Sequence, residues 1–281
     1  ESVEEAHAAL QASIDNWGQL LIASGGAFKP AKCFSHLISF VWNVSGKWSY
    51  ANNEDRDDLA MKVPLPDGTR VAIEHASVTT PKETLGVWTC PAGESGAALS
   101  AMQAKAQEWI DRAKEGALRQ RDIWFLVRAQ FWPCVSYGLS CVTAPLPKLN
   151  LLLRKEYWQL LPLGGVIRTV PAGIRQTGIG FFGAGCPHPG VECCIGQMNK
   201  LLMHYGCPSS LGFMLKTSLS LLVLEMGVSF QPLHEPYRKY SGRITDSWMK
   251  SVWEKCTAYG IRVDFQDIPL IVPRRGDKWV M

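Results

Sequence analysis

Gly25-Gly26-Ala27-Phe28-Lys29-Pro30-Ala31-Lys32-Cys33 is the stretch from which the rest of the chain can be ordered. Before it, Leu10, Ile14, Trp17 and Leu21 recur at i, i+4, i+7 and i+11. That spacing predicts one apolar stripe on a helix over about Val3 to Ala23. Gly25-Gly26 ends the helix, because glycine takes the left-handed cap without strain. After it, His36 to Trp42 is β-branched and aromatic and reads as a strand. Helix, glycine turn, lysine and strand therefore succeed one another.

Further along, Met61 to Ala76 reads as a hairpin around Pro66-Asp67-Gly68-Thr69, where proline fixes φ and glycine frees it. Thr84 to Trp88 reads as one more strand, and Cys90 to Gly96 as a linker. The patterning then changes to a helical period. Leu99, Met102, Ala106, Trp109, Ile110 and Ala113 share a stripe over Ala97 to Leu118. Arg119 to Leu139 is a second helix, broken or kinked near Pro133, and Pro145 to Leu161 a third. Residues 166–190 are rich in glycine and proline and are expected to be irregular with short strands. Val191 to Tyr205, Ser210 to Met226 and Ile244 to Ala258 are further helices.

The expected fold class is α+β: a small antiparallel sheet, including His36–Trp42 and Thr84–Trp88, with a packed helix, then a mainly helical bundle and a helical C-terminal region. Three segments are expected, 1–91, 92–165 and 166–281.

Composition narrows the function classes. The 281 residues carry a net charge of +4, unevenly spread. Residues 1–60 hold four basic and eight acidic side chains, a net of −4, so the remainder carries +8. A basic C-terminal part suits an anionic partner. The acidic, polar N-terminus has no apolar core of a signal peptide. Ser210 to Phe230 is the longest apolar stretch, and Lys216 and Glu225 within it favour a packed helix over a membrane span. Nine cysteines at irregular spacing suggest reduced thiols, hence an intracellular protein, cytoplasmic or nuclear. Cys186, His188, Cys193, Cys194, His204 and Cys207 lack the two close pairs of a zinc site, and the cysteines read as buried, hydrophobe-like thiols.

The usual catalytic signatures are absent: no Walker loop, GxGxxG, HExxH or GxSxG. Asp57-Asp58 is the sole Asp-Asp pair and lies in a charged run. A two-metal site needs carboxylates held rigidly around ions about 4 Å apart, which a polar loop does not provide.

The chain resembles reverse-transcriptase-like proteins of retroelements from unicellular eukaryotes. Trp17-Gly18-Gln19-Leu20-Leu21 through Gly25-Gly26-Ala27-Phe28 and Lys32-Cys33 is similar to the palm segment after the catalytic YxDD turn. Thr84-Leu85-Gly86-Val87 is similar to the primer grip, and Pro133 through Tyr137-Gly138-Leu139 to a thumb helix. Gly178-Ile179-Gly180, Asp246-Ser247-Trp248, Trp253 and Pro273-Arg274-Arg275-Gly276-Asp277-Lys278-Trp279 are similar to the region beyond the thumb.

The resemblance implies a late palm over 1–91, a thumb over 92–165 and a post-thumb region over 166–281. It implies part of an RNA-directed DNA polymerase that contacts primer–template, with the fingers, the upstream palm and the YxDD aspartates outside this chain. On that reading the chain is not expected to be active alone. No cofactor belongs to this part, and Mg²⁺ is implied for the complete enzyme. Lys32, more than Lys29, would assist the departing pyrophosphate as the catalytic lysine. Leu85, Gly86 and Val87 would lie against the primer strand, where glycine lets backbone approach phosphate; read from the residues alone they are equally a plain hairpin turn. Arg112, Lys114, Arg119 and Arg121 would contact phosphates. Trp109, Trp124, Trp132, Trp158 and Tyr137 fall at helical spacing and read as core. The alternative is a non-catalytic helical module that binds nucleic acid or other proteins.

Overall fold

A computed structural model describes residues 3–51, 56, 59–228 and 231–265. The chain is α+β, 56% helical, with small antiparallel sheets. It divides into two compact units. The first takes residues 1–82 and 90–92, the second 83–89 and 93–281.

In the first unit the long helix α1 runs Val3–Ala23, with Glu4 and Glu5 in its first turn, where carboxylates suit the helix dipole. Its packing face differs from the expected stripe. Leu10 and Trp17 are exposed, Trp17 at 60%, and Gly18 is the buried residue. The helix lies on a hairpin of β4 (Lys62–Pro64) and β5 (Arg70–Ala72). Polar groups fix that contact. The Gln11 side chain bonds the Lys62 backbone in both directions, at 2.8 and 2.9 Å. Arg70 reaches Asp15 at 3.0 Å. Beneath them Met61, Val63 and Ile73 form a small core with Ile14, Phe28 and Cys33. The hairpin turn is the expected one: Gly68 has φ +83°, and the Asp67 carboxylate accepts from the Thr69 N–H at 2.9 Å.

Of the expected strand over His36 to Trp42 only Phe40–Trp42 forms, and a separate short strand, Phe34–Ser35, precedes it. β1 (Phe34–Ser35) pairs parallel with β6 (Glu74–His75). β2 (Phe40–Trp42) pairs antiparallel with β3 (Trp48–Tyr50). Between them His36 leaves the ladder and its Nδ1 bonds the Ala76 carbonyl at 3.0 Å. The β2–β3 turn is closed by Asn43, whose Oδ1 accepts from the N–H groups of Ser45 and Lys47. Instead of one sheet holding His36–Trp42 and Thr84–Trp88, the described strands form four separate two-stranded ladders.

The second unit opens with a hairpin, not a single strand: β7 (Lys82–Thr84, from Glu83 onward in this unit) and β8 (Val87–Thr89). Helix α2 (Gly96–Glu115) comes next and buries Ala98, Met102, Ala106, Ile110 and Ala113. The expected second helix is interrupted. α3 (Gln120–Leu126) passes into a π-helical segment at Val127–Phe131 and then α4 (Trp132–Ser136). Pro133 lies in the first turn of α4, where its missing N–H is tolerated because the ladder is already shifted. The third helix splits into α5 (Leu146–Leu151) and α6 (Arg154–Leu163). Residues 166–188 hold a short α7 (Ala172–Gln176) and a 3-10 turn at Ile179–Phe181, with no strand among the described residues.

Helices α8 (Pro189–His204), α9 (Ser210–Met226), α10 (Tyr237–Tyr240) and α11 (Trp248–Tyr259) complete the unit. Gly227 and Gly260 cap α9 and α11 at φ +67° and +66°. One apolar core lies among α2 to α6 and receives Cys193 of α8. A second lies among α9, α11 and Leu201 of α8, around the fully buried Trp253. No described helix is long and apolar enough to cross a membrane.

Candidate nucleic-acid interface

Lys32 ends a 3-10 turn over Pro30–Lys32 in the first unit. Proline starts the turn, and the N–H groups of Lys32 and Cys33 bond the carbonyls of Lys29 and Pro30 at 2.8 and 2.9 Å. Phe28 and Cys33, on either side, face the small core. The flanks are thus anchored, while Lys29 and Lys32 are exposed.

Leu85 and Gly86 form the tip of the β7–β8 hairpin in the second unit. Both have positive φ, +51° and +80°, as a type I′ turn requires. Glycine takes this conformation freely. For leucine it costs about 1–2 kcal/mol, and Leu85 is nonetheless 86% exposed. Strain at an exposed apolar side chain is the kind of outlier from which a functional hypothesis can start.

The tip is supported from behind. Val87 packs against Gly138, where a Cβ would meet Val87 Cγ1 at 3.1 Å. That close approach accounts for glycine at the centre of Tyr137-Gly138-Leu139. The space enclosed by Gly86, Met102, Val135 and Gly138 is only about 20 Å³. Lys105 of α2 donates from Nζ to the Gly86 carbonyl at 3.3 Å. Tyr137, expected in the core, is 65% exposed beside Gly86. Lys105 and Tyr137 are thus brought to the hairpin tip.

The four basic residues Arg112, Lys114, Arg119 and Arg121 diverge. Arg112 pairs with Glu108 on the surface of α2. Lys114 turns the other way, to Asp111 at 3.3 Å and to Gln159 of α6 at 2.7 Å. Residues two apart on a helix do not face each other. Arg119 precedes α3 and Arg121 lies in its first turn, both exposed. Exposed pairs such as Arg112–Glu108 are worth at most about 1 kcal/mol, so these cations remain available to phosphates.

Among the described residues no three His, Cys, Asp or Glu side chains converge on a point. Asp57-Asp58 lies outside the described residues, as does Pro273 to Trp279. The cysteines near the middle of the chain have a packing role. Burial pushes the Cys186 and Cys193 thiols up to about 11, and Cys193 donates to the Leu139 carbonyl at 3.1 Å. Cys194 is likewise buried and raised, while Cys207 is exposed. Of the tryptophans expected in the core, Trp109, Trp124 and Trp132 pack against it partly buried, and Trp158 is more exposed.

No protein-family model matches the chain, and neither a curated protein nor a solved structure is similar to it.

Proposed function

We propose that this chain is a duplex-contacting part of a retroelement RNA-directed DNA polymerase, with the Leu85–Val87 hairpin laid against the primer strand. The observation that carries the reading is the strained, exposed Leu85-Gly86 tip on a tightly packed support. A rigid turn can hold backbone close to phosphate, and the Lys105 ammonium beside Gly86 would neutralise that charge. Arg112, Lys114, Arg119 and Arg121 would add sequence-independent contacts. Lys32, held outward by its anchored turn, would donate a proton to, or neutralise, the departing pyrophosphate in the assembled polymerase. Metal-binding carboxylates would come from outside the described residues.

The test is fluorescence anisotropy of an RNA–DNA primer–template with the 281-residue chain. Binding is expected to weaken linearly on a log–log plot against salt as counterions leave the duplex. Lys105→Ala should reduce that slope by about 1. Absence of binding at low salt, or an unchanged slope in Lys105→Ala and in the quadruple Arg112, Lys114, Arg119, Arg121→Ala variant, would overturn the proposal.

A protein-interaction module is the second reading, favoured by the exposed Phe213, Met214, Leu221 and Leu224 of α9. Concentration-dependent self-association without duplex binding would select it.

A further inference from the structure

A different part of the second unit holds a cavity of about 680 Å³ between the α5–α6 region and residues 168–176, with His188 at its edge. Arg154, Arg168 and Arg175 line it together with Trp158, and no carboxylate does. Among the described residues none of the three guanidiniums makes an ion pair or a side-chain hydrogen bond. Glu156, buried on the same helix as Arg154, has its own Oε2 unpartnered and forms no ion pair with them.

Arg175 is the informative member. It is only 8% exposed, and its Nε has no partner. Its guanidinium lies 5.7 Å from the centre of the Tyr157 ring, which is fixed by a 2.6 Å bond from the Tyr157 hydroxyl to the Pro187 carbonyl. The backbone that carries it is also tied down. Ala184 N–H bonds the Ile174 carbonyl at 3.0 Å, and Cys186 N–H the Arg175 carbonyl at 2.9 Å. Behind that loop Gly183 passes so close to Thr177 that a Cβ would meet its carbonyl oxygen. Burying an unpaired guanidinium is costly unless an anion shares the site.

The surroundings narrow the anion. Arg154 lies over the Trp158 ring at 4.9 Å, a stack that fixes the plane of its donor fork. His188 accepts from the Val191 N–H through Nδ1 at 3.3 Å, so its neutral ring carries the proton on Nε2. Planar arginine forks match phosphate oxygens in pairs. The volume is that of a small-molecule site, several times larger than a bare phosphate needs.

We propose that this cavity binds the phosphate groups of a nucleotide, with Arg154, Arg168 and Arg175 as the phosphate-binding residues and Trp158 beside the organic moiety. The nucleotide is either free in solution or the 5′-phosphorylated end of a strand; both present the same chemistry. The site goes beyond the primer–template reading and does not depend on it.

Isothermal titration calorimetry on the 281-residue chain tests the proposal with defined probes. Inorganic pyrophosphate and adenosine diphosphate are expected to bind with one-to-one stoichiometry, and adenosine to bind far more weakly. Arg168→Ala, at an exposed position, should weaken pyrophosphate binding about tenfold, equivalent to 1.4 kcal/mol. Arg175→Gln should weaken it more, with circular dichroism confirming the fold. Lys105→Ala, outside the cavity, should leave pyrophosphate binding unchanged. A 5′-phosphorylated oligonucleotide binding tighter than its unphosphorylated twin, and tighter than adenosine diphosphate, would assign the site to a strand end. Tighter adenosine diphosphate would assign it to free nucleotide. Pyrophosphate affinity equal in the parent and Arg168→Ala, or no binding of any phosphate probe, would overturn the proposal.

Discussion

At Gly18 the ordinary helix rule is reversed. Alanine is normally better than glycine inside a helix by about 1 kcal/mol. Here an added Cβ would meet Pro64 Cγ at 2.3 Å and Phe28 at 3.1 Å. Overpacking of this kind costs about 1–3 kcal/mol. Gly18→Ala is therefore expected to lower the stability of the first unit in urea titrations, whereas Gly96→Ala, with open space around it, is not. The buried thiols make a second prediction. Cys186 and Cys193 are raised from 9.0 to about 11 and Cys256 to about 12, chiefly by burial. The folded state thus keeps protons that the unfolded chain has lost. Stability is fully present below about pH 9 and declines as pH rises toward the folded values. Lys255 acts oppositely: burial lowers its pKa, so its penalty is relieved as pH rises toward 10.5. Three thiols outweigh one lysine, since each tenfold change in acidity corresponds to about 1.4 kcal/mol. Denaturation midpoints should fall between about pH 9 and pH 11, and fall less in Cys193→Ala. A flat profile in the parent would contradict the thiol account. Lys32 was singled out from sequence, whereas its 3-10 turn, set locally by Pro30 and the flanking Phe28 and Cys33, was not foreseen. Lys105 and Arg175 were not singled out, since their settings depend on distant partners: the Gly86 carbonyl for one, Tyr157 and the 184–186 backbone for the other.

At the scale of elements, local signals succeeded where a local cause dominates. Pro66-Asp67-Gly68-Thr69 closes its hairpin, and α1, α2, α8 and α9 lie where glycines and apolar periodicity put them. At β7–β8 the sequence offered both a strand over Thr84 to Trp88 and a turn at Leu85–Val87, because Leu-Gly lacks the Asn-Gly chemistry that normally marks a type I′ turn; the hairpin is what forms. Only its packing on Gly138 and α2 holds leucine there. The face of α1 was misjudged because Gln11 and Asp15, polar residues, make its cross-chain bonds. The helix over Arg119 to Leu139 was foreseen as kinked or broken near Pro133, but not as π-helical just before it. The hairpin supplies the third prediction. Leu85→Asn relieves the positive φ and should raise the thermal stability of the second unit by about 1 kcal/mol. In the same variant primer–template affinity should fall, because an apolar contact at the tip is removed. A gain in stability with unchanged affinity would detach Leu85 from the interface while leaving the strain argument intact.

For the molecule as a whole, charge and fold class were readable: an acidic beginning, a basic remainder and an α+β chain dominated by helices. The partition between units was not, since it depends on contacts that no local pattern reports. The first unit reaches Lys82, releases seven residues to the second, and then reclaims Cys90–Ala92. Ala92 N–H bonds the Val78 carbonyl at 3.0 Å, and the Cys90 thiol donates to the same oxygen at 3.2 Å. That single carbonyl is the point at which the chain, seven residues after leaving the first unit, is fastened to it again.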